Sequence, residues 1–402
     1  MLSRAPAPRP EIGLLVRTCA RDPAEPSSET SPMSRRVTLF DIADALGIST
    51  GTVHRALHDH PGVNAMTRTR VLQMSKNLDY RPNMAARLLS KKKEFRVSVN
   101  TLKGTTSFWD EVRRGIEEEV AALGMQGADI QFRTFPSLGE GEEEAFEAAM
   151  AAESDGIIMF PSHPRSLHTR MRRASRSKIP IVCVSTDAPD TGRLAVVSVD
   201  TMASGSLAAD LMGRFLHRRG KVAITLSALA ITEHAEKLAG FQETLKSLHP
   251  EISLLAPLED HDVESEAYDK CRKLFSSHPD LAGIYVTTEA SMPVVRAAQD
   301  AHLLDRLTII ATDLFPALIA QIRGGKLAAT IYQRPHAQGR LAFRVLQEFL
   351  VYGRCPALRI TLAPHLIMLG NLDFFLARQD SGGTRSRAAD DISSDLGLSS
   401  YD

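Results

Sequence analysis

The side chains best suited to act on a partner are basic ones, crowded into one short part of this 402-residue chain. Positions 35–94 carry eleven Lys or Arg against five Asp or Glu, whereas 95–402 carry 33 against 39. The whole chain is neutral, with 48 residues of each sign, so a small basic module is joined to a larger acidic body. That split points the module at a polyanion. Within it, Arg55 has the planar fork that pairs bidentately with a guanine edge, or else serves as a phosphate contact or a solvated residue. Ser49 and Thr52 suit phosphates at a helix N-terminus. Lys91-Lys92-Lys93 would lie along a nucleic-acid backbone and add salt-sensitive affinity.

Other chemistries lack a comparable signal. There is no Walker A loop, GxSxG or HExxH, and Gly324-Gly325 reads as a strand-to-helix turn, so the expectation is a chain that is not an enzyme. Cys19, Cys183, Cys271 and Cys355 stand far apart without a CxxC pair. They read as buried reduced thiols of a cytoplasmic protein rather than a zinc ribbon or disulfide scaffold, and no cofactor is implied. No apolar run approaches the ~20 residues of a membrane span.

The elements that position the basic residues are short helices. Thr38 is an N-cap with Asp41 in capping-box position. Leu39, Ile42, Ala43 and Leu46 follow at i, i+3, i+4, i+7, one apolar helical face. Gly47 suits the left-handed end of that helix. Ser49 caps a second helix over 50–57 with Val53, Ala56 and Leu57 inward, which makes a helix-turn-helix. A third helix runs from Asn64 or Ala65 to Leu78, with Val71, Leu72 and Leu78 closing the core and Asp79 as its C-cap.

From Phe95 to Leu376 strand-like apolar runs (96–100, 156–160, 179–184, 221–226, 283–286, 307–312) alternate with helical stretches (109–123, 142–152, 201–217, 291–301). That alternation is the signature of parallel sheets covered on both faces. Its length predicts two lobes. Residues 1–34, rich in Pro, Ser and Arg, and 379–402 read as disordered. The apolar stretch 12–16 is too short for a signal peptide, and Met33 reads as an alternative start of translation.

The run 37–44, Ser49-Thr50-Gly51-Thr52-Val53-His54-Arg55-Ala56-Leu57, Pro61-Gly62-Val63, Met66 to Gln73, and Tyr80-Arg81-Pro82-Asn83 followed by Ala86 and Leu89 resemble the LacI/GalR (lac repressor) family of transcription regulators. The resemblance implies a helix-turn-helix domain over 35–81, a hinge helix and linker over 82–94, and a bilobal ligand-binding domain over 95–378. It also implies a cytoplasmic homodimer, without leucine heptads for a tetramer, on a pseudo-palindromic operator in double-stranded DNA. Its DNA contacts would come from Thr38, Ser49, Thr50, Gly51, Thr52, His54 and Arg55, with Gly51 unable to read a base. His54, where the family usually has Ser, would read a base or fill a surface position. The hinge residues Asn83 and Ala86 would fold against DNA, and Leu89 would wedge into the minor groove or pack between hinge helices.

The segment from Lys237 to Phe241, with Thr312-Asp313, 324–327 and Thr330-Ile331-Tyr332-Gln333, resembles periplasmic sugar-binding proteins. By that resemblance the fold is α/β, a small helical domain plus two parallel sheets flanked by helices. Three crossings near 199, 333 and 358 would form the hinge between lobes. The effector would be a sugar or polyol. It would meet Phe108 and Trp109 by stacking (Trp109 being otherwise a core residue), Asp313 and Gln333 by hydrogen bonds, and Asp187 and Arg193, with Ser185 and Thr186, from a closing loop. Asp200 would touch ligand or merely cap the 201–217 helix. Two departures stand out: Lys237 occupies the place of a clasping Arg, and Thr288-Glu289 that of an Asn-Asp pair. The rival function is an exported solute-binding protein of a sugar transport system.

Overall fold

A computed structural model describes residues 39–57, 61–78, 95–103, 106–125 and 128–380. Thr38, Cys19, Asp79, the hinge residues Asn83, Ala86 and Leu89, Lys91 to Lys93 and both termini lie outside them. The chain divides into two compact units, 1–83 and 84–402.

In the first unit, helices α1 (Leu39–Leu46), α2 (Thr50–Leu57) and α3 (Ala65–Asn77) close on Ile42, Ala43, Val53, Ala56 and Val71. Gly47 is left-handed (φ 64°) where α1 stops, as its position after the last apolar residue predicts. Asn64 settles the start of α3, its Oδ1 accepting from Thr67 N at 2.7 Å. Leu72 departs from expectation. It is 45% exposed, because one residue beyond the buried Val71 is about 100° around the helix.

The second unit opens with β1 (Arg96–Leu102), α4 (Thr106–Ala122), β2 (Asp129–Phe135), α5 (Glu142–Ala151), β3 (Gly156–Met159), α6 (Pro164–Arg176), β4 (Ile181–Val184) and β5 (Ala195–Val199). The chain then runs through α7 (Thr201–Phe215), β6 (Gly220–Leu226), α8 (Thr232–Leu248), β7 (Ile252–Leu254), β8 (Leu258–Glu259), α9 (Glu264–Ser277), β9 (Leu281–Val286), α10 (Ser291–Asp300), β10 (Thr308–Thr312), α11 (Pro316–Arg323) and β11 (Ala329–Tyr332). It ends with α12 (Pro335–Tyr352), β12 (Arg359–Leu362), β13 (His365–Ile367) and α13 (Leu369–Asp380). One sheet has the order β12-β5-β4-β3-β1-β2 and the other β13-β11-β10-β9-β6-β7, with β8 also on β6. Every pairing is parallel except β11 with β13. Strands such as β3, β4 and β5 are buried throughout, as parallel strands between helical layers must be.

The chain passes between sheets three times: at Asp200 between β5 and α7, at Gln333-Arg334 between β11 and α12, and at 363–364 between β12 and β13. The third crossing is therefore not at 358. Leu358 precedes β12, which still belongs to the first sheet through its pairing with β5. Gly324-Gly325 is likewise a helix-to-strand turn after α11, with Gly325 left-handed (φ 68°). Cys183 and Cys271 are buried as expected, but Cys355 is exposed.

Each lobe is pinned by a helix pair whose backbones touch. In the first, a Cβ on Gly115 of α4 would stand 2.1 Å from His336 O, and one on Gly339 of α12 would stand 2.1 Å from Val112 O. In the second, Gly205 of α7 approaches Lys237 O and Gly240 of α8 approaches Met202 O equally closely. Both α7 and α12 begin where the chain crosses between lobes, so the crossings feed directly into these contacts.

Candidate functional site

On α2, Val53 and Ala56 turn inward while Gly51 and Arg55 are exposed. Ser49 Oγ accepts from Thr52 N at 3.2 Å and meets Thr52 Oγ1 at 2.9 Å. These two hydroxyls thus organise the helix start, with Thr50 and His54 half-buried beside it. The first turn of α2 presents free N–H groups and an arginine one turn on, an arrangement that binds phosphate and base edges.

In the second unit, functional side chains gather at the carboxyl ends of the strands, where doubly wound sheets place ligands. Asp313 follows β10 with left-handed backbone (φ 63°). Its carboxylate accepts from Gln333 N at 3.0 Å and Gln333 Nε2 at 2.7 Å. Gln333 Oε1 in turn accepts from Lys237 Nζ at 2.9 Å, and Lys237 pairs with Glu233 at 2.5 Å. Three predicted residues, Lys237, Gln333 and Asp313, therefore form one string, and Glu233 completes it.

Lys237 is 0% exposed. Burial opposes its charge, but the Glu233 carboxylate outweighs that and holds the ammonium above the ordinary lysine range. Glu233 is also pressed upward by burial, yet Lys237 keeps it below its ordinary value. His234, bonded to Thr287 Oγ1 at 3.0 Å, is pushed down to about 4 by burial and stays neutral. Asp313 is pushed up to about 7 by burial and then by the charge of Glu289.

The lobes meet through three carboxylates that sequence reasoning did not assign to ligand, Glu233, Glu289 and Glu236. Glu233 accepts from Ser185 Oγ at 2.8 Å, and Thr186 Oγ1 accepts from Glu233 N at 3.2 Å. Glu289 accepts from Phe108 N at 2.9 Å and from Ser107 Oγ, capping α4 across the cleft. Glu236 pairs with Arg359 at 2.9 Å and accepts from Thr201. The i, i+4 spacing of Glu233 and Lys237 was a signal that could have found the first of these.

The other predicted residues fall elsewhere. Asp187 and Arg193 close on each other as a bidentate pair, and Asp187 O accepts from Thr232 Oγ1 at 3.1 Å. Asp200 takes the capping role, accepting from Ala203 N at 2.9 Å. The Trp109 ring is 3% exposed, packed on Phe108 (4.8 Å) and Phe160 (4.9 Å) in the first-lobe core. The expected open stacking face is thus corrected to a core position, because the bulky apolar ring is driven out of water. Two surface grooves, of about 500 and 780 Å³, lie away from this cluster, one along Leu245 and Leu254 and the other along Tyr268 and Arg296.

The raised carboxyls set a pH dependence. Asp313 and Asp260, both pushed up to about 7 mainly by burial, hold protons in the fold that the unfolded chain releases near 3.8. Their stabilisation is complete below 3.8 and is lost as pH rises through about 7. His234 acts in the opposite sense, but only below its ordinary 6.5. The melting temperature should therefore fall between about pH 6.5 and 8, with a shallower slope in Asp313→Asn. A melting temperature that rises over that interval contradicts these protonation states.

Among the described residues no helix is long and apolar enough to cross a membrane. Residues 97–354 match the periplasmic binding protein domain family, and residues 38–83 match the bacterial regulatory proteins, lacI family. Catabolite control protein A of Staphylococcus aureus (strain MRSA252) is 25% identical over 322 residues, 78% of this chain and 92% of that protein. Among solved structures, GanP, a glucose-galactose binding protein from Geobacillus stearothermophilus, superposes with TM-score 0.63 at 23% identity, over 69% of this chain and 98% of its own. A Burkholderia graminis ABC transporter solute-binding protein in complex with D-arabinose gives TM-score 0.65 at 22% identity, over 70% and 97%. Those two likenesses establish the fold of the second unit. The helix-turn-helix ahead of it disfavours the transport reading, and the similarity over 78% of the chain is to a catabolite control protein. The chain accordingly belongs to the periplasmic binding protein domain family over 97–354 and carries a helix-turn-helix domain of the lacI family of bacterial regulatory proteins over 38–83.

Proposed function

We propose that this regulator binds a pseudo-palindromic operator as a cytoplasmic homodimer, acts as a repressor, and answers to a sugar or polyol held in the interlobe cleft. The observation that carries the DNA reading is the exposure of Gly51 and Arg55 on α2 while Val53 and Ala56 lock its other side. In this reading Arg55 reads a guanine. Ser49, Thr50 and Thr52 hold phosphate, with Thr38 and His54 beside them, and Asn83, Ala86 and Leu89 form the hinge contact. The effector meets Asp313, Gln333 and Lys237, with Asp187, Arg193 and Asp200 supporting the loops around it and Phe108 and Trp109 the first-lobe wall. No reaction is assigned to the cleft; its work is to favour one lobe arrangement over another. The two bilobal solved structures named above, both described with sugars, support the effector class.

Fluorescence anisotropy on the chain's own promoter DNA tests this. Arg55→Ala should weaken operator binding by about 1–3 kcal/mol and relax preference at one base pair in each half-site. An equal loss on scrambled DNA would reduce Arg55 to a phosphate contact. Failure of the wild-type chain to prefer any promoter segment would sink the regulator reading for DNA.

A further inference from the structure

The charges around the cleft do not balance. Three cations there are matched: the buried Lys237 with Glu233, Arg193 with Asp187, and the exposed Arg359 with Glu236. Lys270 and His261 are both taken by Glu266. Asp260, Asp262, Glu289 and Asp313 have no ion-pair partner among the described residues. They follow β8, β9 and β10, strands of the second sheet that lie in the order β8-β6-β9-β10.

Neutral groups alone donate to them. Gln333 serves Asp313, Ser107 and the Phe108 amide serve Glu289, and the Asp262 amide reaches Asp260 Oδ1 at 3.1 Å. Asp260 Oδ2 is buried with no hydrogen-bond partner, as is the neighbouring Thr225 Oγ1. These carboxyls also act on one another. Burial first, then the like charge of a neighbour, raises three of them: Glu289 acts on Asp313, Asp262 on Asp260, and Glu233 and Glu289 on Asp262. Asp262 is placed there by two consecutive left-handed residues, His261 (φ 52°) and Asp262 (φ 56°). Such backbone persists only where the surrounding structure imposes it.

We propose that the effector carries a protonated amine beside its hydroxyls, an amino sugar or amino polyol, with the ammonium received by Asp313, Glu289 and Asp262. The proposal rests on the reading of the cleft as the effector site. A neutral polyol closing the lobes would leave these raised carboxyls with no cation to ionise against. An ammonium ion supplies that cation and three charge-assisted donors.

Isothermal titration calorimetry on the full chain tests it with matched probes: glucosamine and galactosamine, the parent hexoses, and the N-acetylated forms. At least one amine should bind tenfold or more tightly than both its parent and its N-acetyl form. Its heat should vary with the ionisation enthalpy of the buffer, because ammonium binding expels protons from the raised carboxyls. Asp262→Asn should lower the affinity for that amine about tenfold and shrink its advantage over the parent hexose. A parent hexose that binds as tightly as its amine overturns the proposal while leaving the cleft as effector site. Absence of binding by both amines overturns it as well, and so does an amine preference that survives Asp262→Asn. The operator assay with Arg55→Ala is independent of all these outcomes.

Discussion

Lys237→Ala is expected to abolish the effector response and to destabilise the second unit by about 3–5 kcal/mol, the range for breaking a buried ion pair by removing one partner. The ammonium is 0% exposed and serves three acceptors: Glu233 at 2.5 Å, Gln333 Oε1 at 2.9 Å and Thr287 O at 3.3 Å. Truncation leaves the Glu233 carboxylate buried beside Ser185 with no cation, and frees Gln333 from the string that orients Asp313. Glu233 joins the lobes, so its uncompensated charge should open the cleft as well as weaken the fold. Denaturant unfolding followed by the single Trp measures the stability loss, and DNA affinity with and without effector measures the response. Lys237→Met keeps the aliphatic stem and should recover part of the stability with none of the response. Should both variants respond to effector normally, the string is only structural.

An equally large effect is expected from adding one methyl group at a helix contact. Gly205→Ala would place its Cβ 2.0 Å from Lys237 O, with Phe241 N at 2.9 Å. The obstacle is helix backbone, which cannot swing aside as a side chain does, so α7 and α8 must separate. A loss of about 3 kcal/mol or more follows, at the upper end for overpacking. Gly370→Ala is the control. It has nothing within 4 Å, and alanine in a helix should be neutral or stabilising by up to about 1 kcal/mol. Equal melting temperatures for the two variants would disprove the close contact. Because the carbonyl struck by Gly205→Ala belongs to Lys237, and α7 starts at the first interlobe crossing, the variant should also dull the effector response.

Local physics was enough for much of the first unit. The start and end of α2, the left-handed Gly47 and the Asn64 cap each depend on a few neighbouring residues, and each could be read before any folding. So could the six long apolar strands of the second unit, whose Val and Ile runs have nowhere to go but between two helical layers. The short strands β7, β8, β11, β12 and β13, of two to four residues, carry no period and passed unnoticed, and so did the longer β2 and β5. For that reason the third crossing was misplaced. Only the pairing of β12 with β5, across some 160 residues of chain, assigns residues 359–362 to the first sheet.

The candidate site divides in the same way. Lys237, Asp313 and Gln333 could be singled out from their neighbours in the sequence, because they stand in segments of recognisable family pattern. Their joining into one string was decided by the parallel order of β9, β10 and β11, which brings strand ends 20 or more residues apart within 3 Å. Glu233 and Glu289 look like ordinary surface carboxylates in a linear reading. Their partners, Ser185, Ser107 and the Phe108 amide, lie 48 to 182 residues away, so only the approach of the two lobes buries them. Trp109 is the converse. Its type and position suit a stacking surface as well as a core, and the choice depended on whether Phe108 and Phe160 would enclose it. Residue type sets what a side chain is able to do. Which of those capacities is used depends on what the fold places within a few ångströms of it, because hydrogen bonds, ion pairs and desolvation all act at that range.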